Sequence, residues 1–297
     1  MRLATVRTEA GTVAVAVVGD EVVDLGKAAP GLPGTLTGIL ALGQAGLDAV
    51  SAAIASGAAR SALDTSALMS PIPDPPKFWA IGMNYAEHVR ETGKPFPEFP
   101  TVFAKMPNTV TGPYVDVERP AVSDKLDFEC ELGIVIGKRC RHVSRERAHE
   151  VIAGFTIVND YSVRDFQMRG GQWVLGKSFD GHGVVGPWLV TPDELDPHSL
   201  GIRTIVNGEI RQNSNTANLI FDCYKLIEEL SSAATLEVGD LIATGTPGGV
   251  GVMEDRFLVP GDLVRVEIDG IGHVENRIVQ EPAAKEWIDG PTASITG

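Results

Sequence analysis

The chain opens with two runs rich in β-branched residues, 12–18 and 21–25, separated by Gly19-Asp20. A Gly-Asp pair between such runs predicts a tight hairpin, because the turn needs a positive φ and the flanking residues suit a pleated surface. Over 36–63 the pattern changes to Ala, Leu and Gly with apolar positions near helical spacing, which predicts helix. Prolines at 71, 73, 75 and 76 then predict a stiff, extended connection. Residues 1–70 are therefore expected to form a small N-terminal α+β domain, with the main domain over 71–282 and a flexible tail over 283–297.

From Lys77 onward, short apolar runs recur at 132–136, 155–158, 241–243 and 263–268, divided by Gly, Pro, Asn and Asp. Only 144–151 and 219–230 carry a helical pattern. The expected fold is α+β and β-rich, with a sandwich-like or barrel-like core.

With 43% hydrophobic and 22% charged residues over 297 positions, the chain can bury a substantial core. Its net charge of -14 and lack of a Lys/Arg run argue against a nucleic-acid partner, which would need a basic stripe. Cys130, Cys140 and Cys223 are too scattered for a disulfide framework or a zinc site, and predict thiols in a reducing compartment. No apolar run approaches the ~18 residues of a membrane span, and no signal-peptide pattern opens the chain. A cytoplasmic protein without a membrane partner is expected.

Candidate chemistry begins at Asp127-Phe-Glu-Cys-Glu-Leu. Strand alternation puts Glu129 and Glu131 on one face and Phe128, Cys130 and Leu132 on the other. Two like charges side by side repel unless they are solvated or share a cation. Asp160 ends a second apolar run, and three carboxylates without His or Cys suit a hard cation such as Mg²⁺ or Mn²⁺. A solvated edge strand explains the same pair equally simply. Asn84 is placed to cap a short helix that carries His88 and Glu91 three residues apart on one face, a general base oriented by a carboxylate. A surface ion pair is the plainer alternative. The segment 92–100, with Gly and three prolines, has the composition of a mobile lid. Lys177, after the Gly170-Gly171 turn, is placed to hold a substrate carboxylate or an enolate. The glycine-rich run 244–251 lacks the phosphate-loop pattern but could offer N–H groups to an anion.

Taken together and in order, these pieces resemble the fumarylacetoacetate hydrolase family in its short bacterial form: Asn84-Tyr85 with His88 and Glu91, Glu129-x-Glu131, Asn159-Asp160 with Arg164, Gly176-Lys177-Ser178, Gly186-Pro187-Trp188, Val206-Asn207-Gly208 and Thr244-Gly-Thr-Pro. The resemblance implies a catalytic fold of rolled mixed β-sheets, a homodimer, and Mg²⁺ or Mn²⁺ held by Glu129, Glu131 and Asp160. It implies that His88 and Glu91 activate water on a lid, that Lys177 is catalytic, and that Arg164, Gln167 and Thr246 contact substrate. The expected reaction is hydrolysis of a C–C bond in an acylpyruvate-like 2,4-dioxo acid. Decarboxylation of an oxaloacetate-type acid, or enol–keto isomerisation of a 2-hydroxymuconate-type dienol, is the alternative on the same site. The run 181–185 departs from the family pattern, so that loop is expected to shape the pocket, where His182 could touch substrate or, more plainly, be solvated.

Overall fold

A computed structural model describes residues 1–282. The tail expected over 283–297 lies outside the described residues. Eleven strands form one mixed sheet. Its centre is the pair Cys130–Ile136 and Ile152–Asp160, antiparallel, with Cys130 opposite Asn159. Gly183–Val190 flanks one side, and Leu241–Ala243, Phe78–Gly82 and Thr101–Lys105 continue the other. A five-stranded sheet of Glu209–Asn215, Gly201–Val206, Leu263–Ile268, Gly272–Gln280 and Val117–Arg119 accompanies it.

The central strands have a physical reason to be apolar throughout. Phe128, Cys130, Leu132, Ile134 and Ile136 face one core, shared with the five-stranded sheet and the helix Cys223–Ala233. Val135 faces a second core on the opposite side. Burial on both faces removes the polar alternation expected of a half-exposed strand, and truncating Ile134 to Ala should cost about 2–5 kcal/mol. Glu129 and Glu131 share the parity of Val135, opposite Phe128 and Cys130, as strand alternation requires. They do not sit on a solvated edge strand: Glu131 is fully buried and Glu129 nearly so.

The N-terminal hairpin forms with Val18 opposite Glu21 and Gly19 at φ +63. The helical stretch is broken into Leu36–Ala41 and Gln44–Ala55, with Gly43 between them at φ +60, and the chain then returns as the strand Arg60–Ala62. Leu3 pairs with Leu189, so the first strands extend the main sheet. Leu25, Ile39 and Val50 pack in the same core as Phe78 and Val135. The boundary expected near residue 70 therefore marks a change of texture along the chain, not a break between cores. Nor is the proline run a free linker: Ile72 is fully buried and the Pro71 carbonyl accepts from the Thr5 hydroxyl. The three cysteines are free. No helix among the described residues is long and apolar enough to cross a membrane.

Candidate active site

The carboxylates meet where the two central strands begin and end. Glu129, Glu131 and Asp160 each offer an oxygen within 4.8 Å of the others. The Lys177 ammonium donates to Glu129 (2.6 Å) and Asp160 (2.8 Å), and Lys105 donates to the other Asp160 oxygen (2.5 Å). Arg164 donates from Nη1 to Glu129 (2.6 Å) and Gln167 (2.9 Å), and from Nε to Asp127 (2.8 Å). Asp127, fully buried, also accepts from the backbone N–H groups of Phe128, Gly251 and Val252.

Charge in this floor is nearly, but not wholly, compensated. Burial would raise the Glu129 carboxyl, but the Lys177 and Arg164 charges outweigh it and hold Glu129 down at about 2. Burial likewise opposes the Lys177 ammonium, yet Asp160 and Glu129 keep it above the ordinary lysine value. At Lys105 burial wins over the pull of Asp160, and its value is lowered. Glu131 has no cation of its own. Burial, then the neighbouring Asp160 and Glu129 charges, push its carboxyl well above the usual range.

The Glu131 geometry shows the same deficit. One oxygen accepts from the Gly245 N–H at 2.6 Å, while Oε1 is buried without a partner. A buried orphan acceptor is costly unless something fills its place. Three converging carboxylates, one with an orphan oxygen, fit a hard divalent cation that takes oxygen ligands. Glu129, Glu131 and Asp160 can therefore hold Mg²⁺ or Mn²⁺.

His88 and Glu91 lie on the helix Ala86–Thr92, which Gly93 ends at φ +67. His88 Nδ1 is 2.7 Å from Glu91 Oε1, with the two side chains 12% and 27% exposed. Glu91 also accepts from the Gly249 N–H at 3.1 Å. Asn84 does not cap this helix. Its amide is spent between the Phe221 backbone and the Thr244 carbonyl, and Tyr85 takes the cap position without a side-chain bond. The glycine-rich run likewise does not hold its N–H groups open for an anion: Gly245, Gly249 and Gly251 donate to Glu131, Glu91 and Asp127.

A cavity of about 210 Å³ joins these parts, lined by His88, Glu129, Arg164, Gln167, Lys177 and Thr246 among others. Thr246 accepts from the Gln212 amide at 2.8 Å. A larger hollow of about 500 Å³ shares no lining residue with it and contains no such cluster. The run 181–185 does not line the catalytic cavity. It leads into the strand Gly183–Val190, and His182 is buried against Phe179, its Nε2 donating to the Glu118 carbonyl (2.9 Å). Lys105 and Asp127 were not singled out in the sequence. Their available signals were a lysine ending an apolar run, as Asp160 does, and a third acid beside Glu129-x-Glu131.

The chain is similar to several known proteins. Residues 77–279 match the model of the fumarylacetoacetate hydrolase C-terminal domain. A mitochondrial oxaloacetate tautomerase of Xenopus laevis is 40% identical over 88% of this chain and 83% of its own. A 5-carboxymethyl-2-hydroxymuconate delta-isomerase from Mycobacterium smegmatis superposes with TM-score 0.76 at 35% identity, over 95% of this chain and 100% of that one. A maleylpyruvate hydrolase from Sphingobium sp. SYK-6, crystallised with manganese(II) and pyruvate, gives TM-score 0.79 at 33% identity over the same shares. The chain is an enzyme of the fumarylacetoacetate hydrolase family.

Proposed function

We propose that the chain is a divalent-cation-dependent enolising enzyme of 2-oxo acids, a keto–enol tautomerase in which His88 moves a proton at carbon 3. One observation carries this reading: His88, its Nδ1 held 2.7 Å from Glu91, lines the same cavity as Glu129 and Lys177 of the charged floor. With Nδ1–H fixed on Glu91, the other ring nitrogen, Nε2, is left to take or return the proton. When bound at Glu129, Glu131 and Asp160, the cation would supply Lewis acidity toward a 2-oxo carboxylate. Lys177 places a buried positive charge beside the developing enolate oxygen. Arg164, whose Nη2 is buried and unpaired, and Gln167 are the donors for the substrate carboxylate. Thr246 offers a hydroxyl at the cavity wall. The tautomerase and isomerase names among the relatives support the reading.

Hydrolysis of an acylpyruvate is the second reading, and the partial exposure of the dyad favours it, since His88 is within reach of bulk water. The same Nε2 would then deprotonate a water, and C–C cleavage would leave pyruvate enol and a carboxylate. Following enol-oxaloacetate by absorbance and acetopyruvate by NMR, with Mg²⁺ and with chelator, separates the two. Metal-dependent loss of enol without C–C cleavage supports tautomerisation. Release of pyruvate and acetate moves the assignment to hydrolysis, and activity undiminished by chelator refutes both.

A further inference from the structure

The cavity changes character within one ring's width of its polar floor. Lys177 Nζ lies 5.0 Å from the centroid of the Phe103 ring, and Trp173 meets that ring edge-on at 5.5 Å and 68°. Ile81, Met83, Met168, Val252 and Met253 complete the apolar lining. The chain has six methionines, and three of them line this one cavity. Met168 and Met253 are 65% and 40% exposed, large flexible apolar groups.

Trp173 has a seat made for it. A Cβ on Gly82 would stand 2.3 Å from Trp173 Cζ3 and 2.9 Å from Cη2. Gly82 is not at a positive φ, so the indole ring, not the backbone conformation, excludes a side chain there.

Charge sets the other half of the specificity. The floor carries four carboxylates, Asp127, Glu129, Glu131 and Asp160, against the three cationic side chains Lys105, Lys177 and Arg164. A divalent cation added to that set leaves one net positive formal charge, which a single substrate carboxylate neutralises. For a second carboxylate, the remaining lining offers only Lys94, which is exposed to solvent.

We infer that the substrate is a 2-oxo acid with one carboxylate and an apolar, preferably aromatic, substituent on carbon 3, and that Trp173, seated on Gly82, is the specificity-determining wall for that substituent. The inference rests on the reading of the cavity as a 2-oxo acid site. A distal carboxylate, as in oxaloacetate, would face Trp173 and the methionines without a buried cation.

The test uses the full chain loaded with Mn²⁺, and calorimetric binding of phenylpyruvate and of oxalate, which carries the head group alone. Initial rates on phenylpyruvate and oxaloacetate accompany it. The wild type should favour phenylpyruvate over oxaloacetate in kcat/KM by about 10-fold or more. Trp173→Ala and Gly82→Ala should each weaken phenylpyruvate binding by about 10-fold or more while oxalate binding stays within about threefold. Gly82→Ala keeps the indole in the chain, so it serves if Trp173→Ala does not fold. Preference for oxaloacetate, or equal losses for oxalate and phenylpyruvate, would overturn the inference and leave the 2-oxo acid reading standing. Failure of the wild type to bind oxalate and to turn over any 2-oxo acid would overturn that reading, and the inference with it.

Discussion

Replacing His182 with Phe should flatten part of the protein's acid instability. The imidazole is 1% exposed, with Phe179 stacked on it at 5.5 Å and Nδ1 without a partner. Burial, with the Lys105 charge adding to it against the Glu118 hydrogen bond, pulls its pKa from 6.5 down to about 4. Between those values the unfolded chain binds a proton that the folded chain refuses. The histidine's contribution is therefore intact above 6.5, falls as the pH drops, and is lost at about 4. The full gap is worth about 3 kcal/mol, of which about 2 kcal/mol disappears between pH 7 and pH 5. At about 2 cal/mol/K of unfolding entropy per residue, 2 kcal/mol corresponds to about 3 °C in Tm for a chain of this length. Thermal unfolding of wild type and His182→Phe should thus give curves that converge by about 3 °C between pH 7 and pH 5, whatever the constant offset from the lost hydrogen bond. Parallel curves, or an imidazole that titrates near 6.5 by NMR, would refute the reasoning.

Other perturbations act on the catalytic floor. Glu131→Gln should weaken Mn²⁺ binding by about 100-fold without lowering the Tm of the metal-free protein, because the amide removes an uncompensated buried acid; calorimetry and thermal scans check both halves. Metal binding should release more protons as the pH falls, since burial and the Asp160 and Glu129 charges favour the protonated Glu131 carboxyl and the cation favours the ionised one; calorimetry in buffers of different ionisation enthalpy, with no release at any pH, would contradict this. Asp127→Asn should cost about 3–5 kcal/mol of stability by leaving the Arg164 guanidinium short of a charged partner, measurable by urea unfolding, and should raise KM more than it lowers kcat. Glu91→Gln should cut kcat by about 10²-fold or more with Mn²⁺ affinity unchanged; equal loss of metal affinity would place Glu91 among the ligands instead.

Local pattern revealed those parts of the molecule whose chemistry is local. Glu129 and Glu131 two residues apart on an apolar run, and His88 and Glu91 one helical turn apart, keep in space the relation their spacing implies. Lys105 and Asp127 gain their meaning from partners 55 and 37 residues away, Asp160 and Arg164. Nothing in a stretch such as Phe-Ala-Lys-Met announces that its lysine will be buried. The same limit explains Asn84, which sits where a helix cap belongs but is drawn off by Phe221 and Thr244. It also explains the N-terminal segment: its hairpin is local, whereas the pairing of Leu3 with Leu189 that merges it into the main sheet is not. The run 181–185 reads as a loop because His182 between glycines looks solvated, yet the Phe179 ring and the strand that follows bury it.

The coupling we propose joins, in one cavity, a cation held by Glu129, Glu131 and Asp160 to proton transfer through His88. Its most direct measurement is deuterium exchange at carbon 3 of 2-oxobutyrate in D₂O, followed by NMR for wild type, His88→Asn and Glu131→Gln with Mg²⁺ and with chelator. Rapid exchange is expected only for the wild type with Mg²⁺, and near-background exchange in chelator and in both variants. Exchange that persists in chelator, or in His88→Asn at the wild-type rate, would contradict it.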